Sequence, residues 1–114
     1  METPKVVTAT IAIDGNLSGP IDLEGYERGT VMVPTIVSAV LTFQGSADGV
    51  TFANLYNGAA AKAEVNIGAA CTGEKAINLP AEVMACKWIK IRTGTAASPV
   101  TQTTTARVFT LCLK

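Results

Sequence analysis

The chain predicts an all-β fold: a single-domain antiparallel β-sandwich, jelly-roll-like, with about eight short strands over residues 1–114. Three observations carry this. Short runs alternate apolar with polar residues, turn signals such as Asp-Gly, Asn-Gly and Gly-Pro separate them, and no long segment keeps the helical 3.6-residue spacing. Short strands with turn chemistry between them close into sandwiches or jelly rolls. With 114 residues, 48% of them hydrophobic, the chain is long enough to bury a core and too apolar to be disordered.

Residues 1–5 read as an N-terminal arm, and the first strand runs from Val6 to Ile13 with Val7, Ala9, Ile11 and Ile13 on one face. Asp14-Gly15-Asn16 is turn chemistry and ends it. Leu17 to Leu23 is a second strand whose Gly19-Pro20 interruption suits an edge. Glu24 to Gly29 reads as a solvated loop, and Thr30 to Val33 as a strand stopped by Pro34.

Ala39 to Tyr56 is the strongest hairpin signal, placing Ala39, Leu41 and Phe43 on one face. A four-residue loop, Ser46 to Gly49, opposes Phe43 to Phe52 and Gly45 to Val50, which buries both rings. Gly49 supplies the positive φ such a loop needs, and Asn54 then points inward, so the strand is expected to end or bulge there.

Asn57-Gly58 opens another turn, and Ala59-Ala60-Ala61 is compatible with one helical turn. Glu64–Ile67 and Lys75–Leu79 are short strands around a Gly68-to-Gly73 connection that holds Cys71. Pro80 to Met84 reads as a single helical turn with proline at a tolerated first position. In Cys86–Arg92, Ile89 and Ile91 face the core, which leaves Cys86 and Trp88 on the outer face. Thr93 to Pro99 is a small-residue loop. The last strand, Thr101–Leu113, turns Phe109, Leu111 and Leu113 inward and Val108, Thr110 and Cys112 outward, with an exposed threonine-rich first half.

Charge bounds the partners. Only 16% of residues are charged, against roughly 25% in a typical soluble domain, and nine acidic residues balance nine basic ones. Sparse charge points to a subunit partly covered by partners, itself included as a symmetric homo-oligomer. No basic stripe exists to neutralise phosphates, so nucleic acid is not an expected partner. No run of about 18 apolar residues suggests a membrane span, and Met-Glu-Thr-Pro-Lys lacks the pattern of a secretory signal.

Catalysis finds little support. The chain has no histidine, the commonest general base and metal ligand. Asp22, Glu24 and Glu27 offer carboxylates for a glycosidase pair but read more simply as solvated loop charges. Asp14-Gly15-Asn16 and Asp48-Gly49 do not fit the spaced acids of a calcium loop and read as turns. The expectation is a non-enzyme with no catalytic, cofactor-binding or metal-binding residue. Trp88 has two readings: an interface anchor, or a ring packed beneath a neighbouring loop.

Three segments together carry a resemblance: Leu41-Thr42-Phe43-Gln44-Gly45-Ser46-Ala47-Asp48-Gly49-Val50-Thr51-Phe52, Lys87-Trp88-Ile89-Lys90-Ile91-Arg92-Thr93-Gly94-Thr95, and Pro99-Val100-Thr101-Gln102. From about Thr30 onward the chain resembles small jelly-roll decoration (cement) proteins of tailed bacteriophage heads. An aromatic often precedes the matching Ser-Ala-x-Leu-Thr-Phe strand in that group, where this chain has Ile36. The resemblance implies a structural virion protein on the capsid surface, made in the bacterial cytoplasm, that braces the major capsid protein as a trimer or other symmetric cluster. The Ser-x-Asp-Gly-x-x-Phe hairpin also resembles discoidin-like sandwiches, so the rival reading is a carbohydrate-binding module. Its only candidate platforms are Trp88, Tyr26 and Tyr56.

Cys71, Cys86 and Cys112 are too few for a disulfide scaffold and suit synthesis in a reducing cytosol. Cys86 reads as a buried structural thiol. Cys71, in a loop of small residues, and Cys112, two residues from the last residue given, are candidates for a disulfide between subunits.

Overall fold

The computed structural model describes residues 4–57, 63–71 and 74–114. Their strands form a two-sheet sandwich, as the alternating pattern predicts. In chain order they are β1 (Lys5–Ile11), β2 (Ile21–Asp22), β3 (Gly29–Val33), β4 (Ala39–Ser46), β5 (Ala53–Asn54) and β6 (Tyr56–Asn57). Then come β7 (Ala63–Glu64), β8 (Asn66–Cys71), β9 (Lys75–Asn78), the single-turn helix α1 (Ala81–Met84), β10 (Trp88–Thr93) and β11 (Arg107–Leu113). This is more strands than the sequence predicts, because several pairings last only two residues. No helix among the described residues is long and apolar enough to cross a membrane.

The first sheet has the order β1-β11-β3-β9. The second has β2-β10-β4, with β5 and β8 both paired to β4. All these pairings are antiparallel, and β6 pairs with β7 in a separate two-stranded ribbon. The core lies between the sheets. Val31, Phe109, Leu111 and Leu113 enter it from the first sheet, and Leu41, Phe43, Ile89 and Ile91 from the second, all essentially without solvent exposure. Ile36 is buried in the same core. Period-two alternation thus places every large apolar residue of β4, β10 and β11 where it was read.

Irregular backbone accounts for the departures. β1 begins at Lys5, the last residue of the expected arm; residues 1–3 lie outside the described residues. Ile13, read as core, is 53% exposed, because the strand has ended and Asp14 turns the chain at φ 65°. β2 is an edge strand, as its Gly19-Pro20 interruption implied. Ala59-Ala60-Ala61 falls outside the described residues. Cys71 is not in a loop: it closes β8, its backbone paired with Ala39 past a register shift where Gly68 adopts φ 65°. The Cys71 side chain lies outside the described residues. Cys86 precedes β10, so strand parity does not apply to it. Its sulfur sits where a Cβ on the core-side Gly45 would be, 2.6 Å away, and packs against the core. Burial pushes its thiol pKa up.

The central hairpin has a different register from the expected one. Gly45 pairs with Ala53 and Gln44 with Asn54, so Leu55, not Phe52, lies opposite Phe43 and packs against the core. Phe43 is fully buried, Phe52 is only half-buried, and Val50, expected opposite Gly45, is 83% exposed. Asn54 accordingly points outward. The loop is longer than predicted because side-chain hydrogen bonds, rather than a tight backbone turn, shape it.

Candidate interaction surfaces

The two sheets present unlike outer faces. On the second, the Ser46–Phe52 loop is built by two short side chains. The Ser46 hydroxyl accepts from the Gly49 amide (2.9 Å) and donates to Asp48 Oδ1 (3.0 Å). The same Oδ1 accepts from the amides of Val50 and Thr51, each at 2.9 Å. These bonds, Thr51's first and Val50's next, hold the Asp48 carboxyl below the usual carboxylate range. Gly49 takes φ 78°, as predicted, and lies against Trp88: a Cβ there would sit 2.8 Å from the indole. Trp88 is therefore partly covered by the loop, and the loop holds Val50 out at its tip.

Beside the loop, Lys90 Nζ lies 4.4 Å from the centre of the Phe52 ring, and Lys87 Nζ 5.6 Å from that of Trp88. Further along, Arg92 forms an ion pair with Glu64 at 3.0 Å, both side chains nearly buried. Arg92 also donates to Asn54 Oδ1 at 2.5 Å, and the Ala96 amide donates to the Glu64 carboxylate. This cluster ties β7 and the Thr93–Pro99 loop to the sheet. Nothing in the local sequence announces it, because its members are scattered from Asn54 to Ala96.

Among the described residues, no ion pair stands on the first sheet's outer face. Cross-strand rows run Val6–Cys112–Thr30–Asn78 and Thr8–Thr110–Met32–Ala76, and Thr10–Val108 begins a third. Every one of these positions is exposed or half-exposed, with Val6 at 62%, Val108 at 49% and Met32 at 45%, and none is charged. Cys112 is a free thiol on this face, while Cys71 belongs to the other sheet. Next to the first row lies a groove of about 640 Å³, lined in part by Arg28, Asn78, Met84 and Cys112.

Of the carboxylates weighed for catalysis, Asp22 and Glu24 are engaged in surface ion pairs. Asp22 binds Lys87 at 2.7 Å, and that bond, with another from the Glu24 amide, lowers its pKa; Glu24 pairs with Lys5. Of the sugar platforms considered, Tyr56 is exposed, Tyr26 packs partly against the core, and Trp88 lies beneath Gly49.

No family model and no curated protein matches the chain. Among solved structures it is similar to the SPBc2 prophage-derived protein YomS, at 10% identity and a TM-score of 0.55, covering 100% of this chain and 97% of that one. It also matches the Yersinia pseudotuberculosis-derived mitogen YPM at 11% identity and a TM-score of 0.42, covering 100% and 86%. The first likeness shows a shared all-β fold over nearly the full length of both chains.

Proposed function

We propose that this protein is a non-enzymatic structural component of a phage or prophage particle that docks on a protein shell. Its partner is the major capsid protein, its place the capsid surface, and its working form a symmetric homo-oligomer that bridges shell subunits. The observation that carries the reading is the braced loop. An apolar tip left 83% exposed at Val50, on a loop fixed by Ser46, Asp48 and the Trp88 ring, is suited to insertion into a partner. Pre-ordering such a loop lowers the entropy lost on docking. The fold shared with a prophage-derived protein supports the setting. Trp88 then serves as a support for the docking loop, and its cover by Gly49 makes it a poor stacking platform for a sugar ring.

The experiment is co-sedimentation with purified shells, comparing the natural protein with Val50→Asp. Binding that Val50→Asp weakens at least tenfold supports the proposal. Binding to oligosaccharides with none to shells overturns it in favour of the carbohydrate reading.

A further inference from the structure

We infer that the outer face of the first sheet is a homotypic interface, on which two copies of this chain stack face to face about a two-fold axis. A two-fold contact sets a patch against itself, so a charge near the axis meets its own copy. This patch has none to oppose. The chain carries 18 charged residues, nine of each sign, yet none stands on the outward positions of β1, β11, β3 or β9. The sheet's own charges, Lys5, Lys75 and Arg107, all fall on the opposite parity, at strand ends.

The placement of two of those lysines also works against the usual alternative. The sheet's edges are β1 and β9, and each carries an inward-parity lysine, a device that opposes pairing with another strand. Edge-to-edge growth is opposed at these ends, while nothing opposes face-to-face stacking. The face spans about four strands by six residues, roughly 20 Å by 20 Å at normal strand spacings. Two such faces bury about 800 Å², below the 1,200–2,000 Å² of permanent specific interfaces. The pair is therefore reversible and concentration-dependent, and it gains most where a particle surface gathers copies together.

The same geometry bears on Cys112. Stacked sheets lie about 10 Å apart, whereas a disulfide needs Cα atoms within about 7 Å. Within the stacked pair Cys112 stays a thiol, reachable by a spacer-bearing cross-linker but not by its counterpart.

Sedimentation velocity across a concentration series tests the inference, with Thr110→Lys and Thr110→Glu as variants at the centre of the face. The natural protein should show a monomer–dimer equilibrium that each variant weakens at least tenfold. Mixing the two variants should restore dimer, because opposite charges then meet across the axis. A short bis-maleimide should cross-link the natural dimer, and Cys112→Ser should abolish that product. Circular dichroism of each variant guards against misfolding, and Met32→Lys repeats the test at a neighbouring position. A monomer at every concentration overturns the inference, as does a dimer that folded Thr110→Lys and Met32→Lys leave intact. Shell binding that these folded variants lose, without any dimer in the natural protein, also overturns it and assigns the face to the shell. Failure here leaves docking through Val50 standing, since that reading is measured with a different variant on the other sheet.

Discussion

The outer faces of the two sheets show how one sandwich can treat solvent in opposite ways. On the second sheet almost every outward group has a partner: Arg92 with Glu64 and Asn54, Lys90 over Phe52, and the Trp88 ring under Gly49. On the first sheet the outward groups are methyls, hydroxyls, one thioether, one carboxamide and one thiol, and a side-chain bond joins strands there from the Thr30 hydroxyl to Asn78. Both sheets back onto the same core, so core packing does not explain the contrast. It resides in the outward positions alone, which a sandwich leaves free for function.

Breaking the ion pair tests the partnered face most severely. Glu64→Ala strands a nearly buried guanidinium and removes the acceptor of the Ala96 amide. Losing one partner of such a pair costs about 3–5 kcal/mol. Denaturant unfolding should show a loss of that size, while Thr8→Ala, on the bare face, should stay within about 0.5 kcal/mol. Equal effects at the two sites would erase the distinction.

Next in size is Gly49→Ala. It places a methyl 2.8 Å from the Trp88 indole and forces alanine to φ 78°. Strain and overpacking together predict about 1–3 kcal/mol and a changed tryptophan emission spectrum. An unaltered spectrum would mean that the loop does not rest on the ring in solution. Smaller still is Phe52→Ala, which removes a half-exposed ring and its contact with Lys90 at about 0.5–1 kcal/mol. Phe43→Ala, by contrast, should cost about 3–5 kcal/mol, because that ring is fully buried. The ratio of the two measures the hairpin register directly: comparable losses would restore the Phe43–Phe52 pairing and contradict the observed one.

That register marks the boundary of what the sequence discloses. Inside β4, β10 and β11 the large apolar residues follow the two-residue period, so parity alone places Leu41, Phe43, Ile89, Ile91 and Phe109. Parity holds only while the backbone stays extended. It fails across the loop, where Ser46 and Asp48 bond to successive amides and set the count of residues before β5 begins. The Ser-x-Asp-Gly spelling does signal side chains that build turns by bonding to the backbone, but burying both rings favours a tight four-residue closure over the longer loop those bonds make. Cys86 and Cys71 show the same limit, one lying before its strand and one past a register shift. Arg92 and Glu64 are paired by tertiary packing alone. The uncharged outer face is legible only in part: parity turns Val108, Thr110 and Cys112 outward, but joining them to Val6 and Met32 requires the strand order.

Acid should separate the two faces with the least perturbation. Asp48 and Asp22 both have lowered pKa values, Asp48 from the amides of Thr51 and Val50, Asp22 from Lys87 and then the Glu24 amide. A carboxyl whose folded pKa lies below its unfolded value stabilises the fold above the unfolded value, and that contribution disappears as pH falls through the folded one. The window is therefore below the ordinary carboxylate range, with nothing lost between neutral pH and pH 5. Both groups are exposed to solvent, so the effect is a local loosening of the second sheet's loops rather than global unfolding. Amide resonances of Val50 and Thr51 should move with a midpoint below that of an ordinary aspartate, while those of Met32 and Thr110 hold still, because no carboxylate stands on their face. If Met32 and Thr110 shifted at the same midpoint, the sandwich would be opening as a unit, and the loop could not be counted as a separately ordered element.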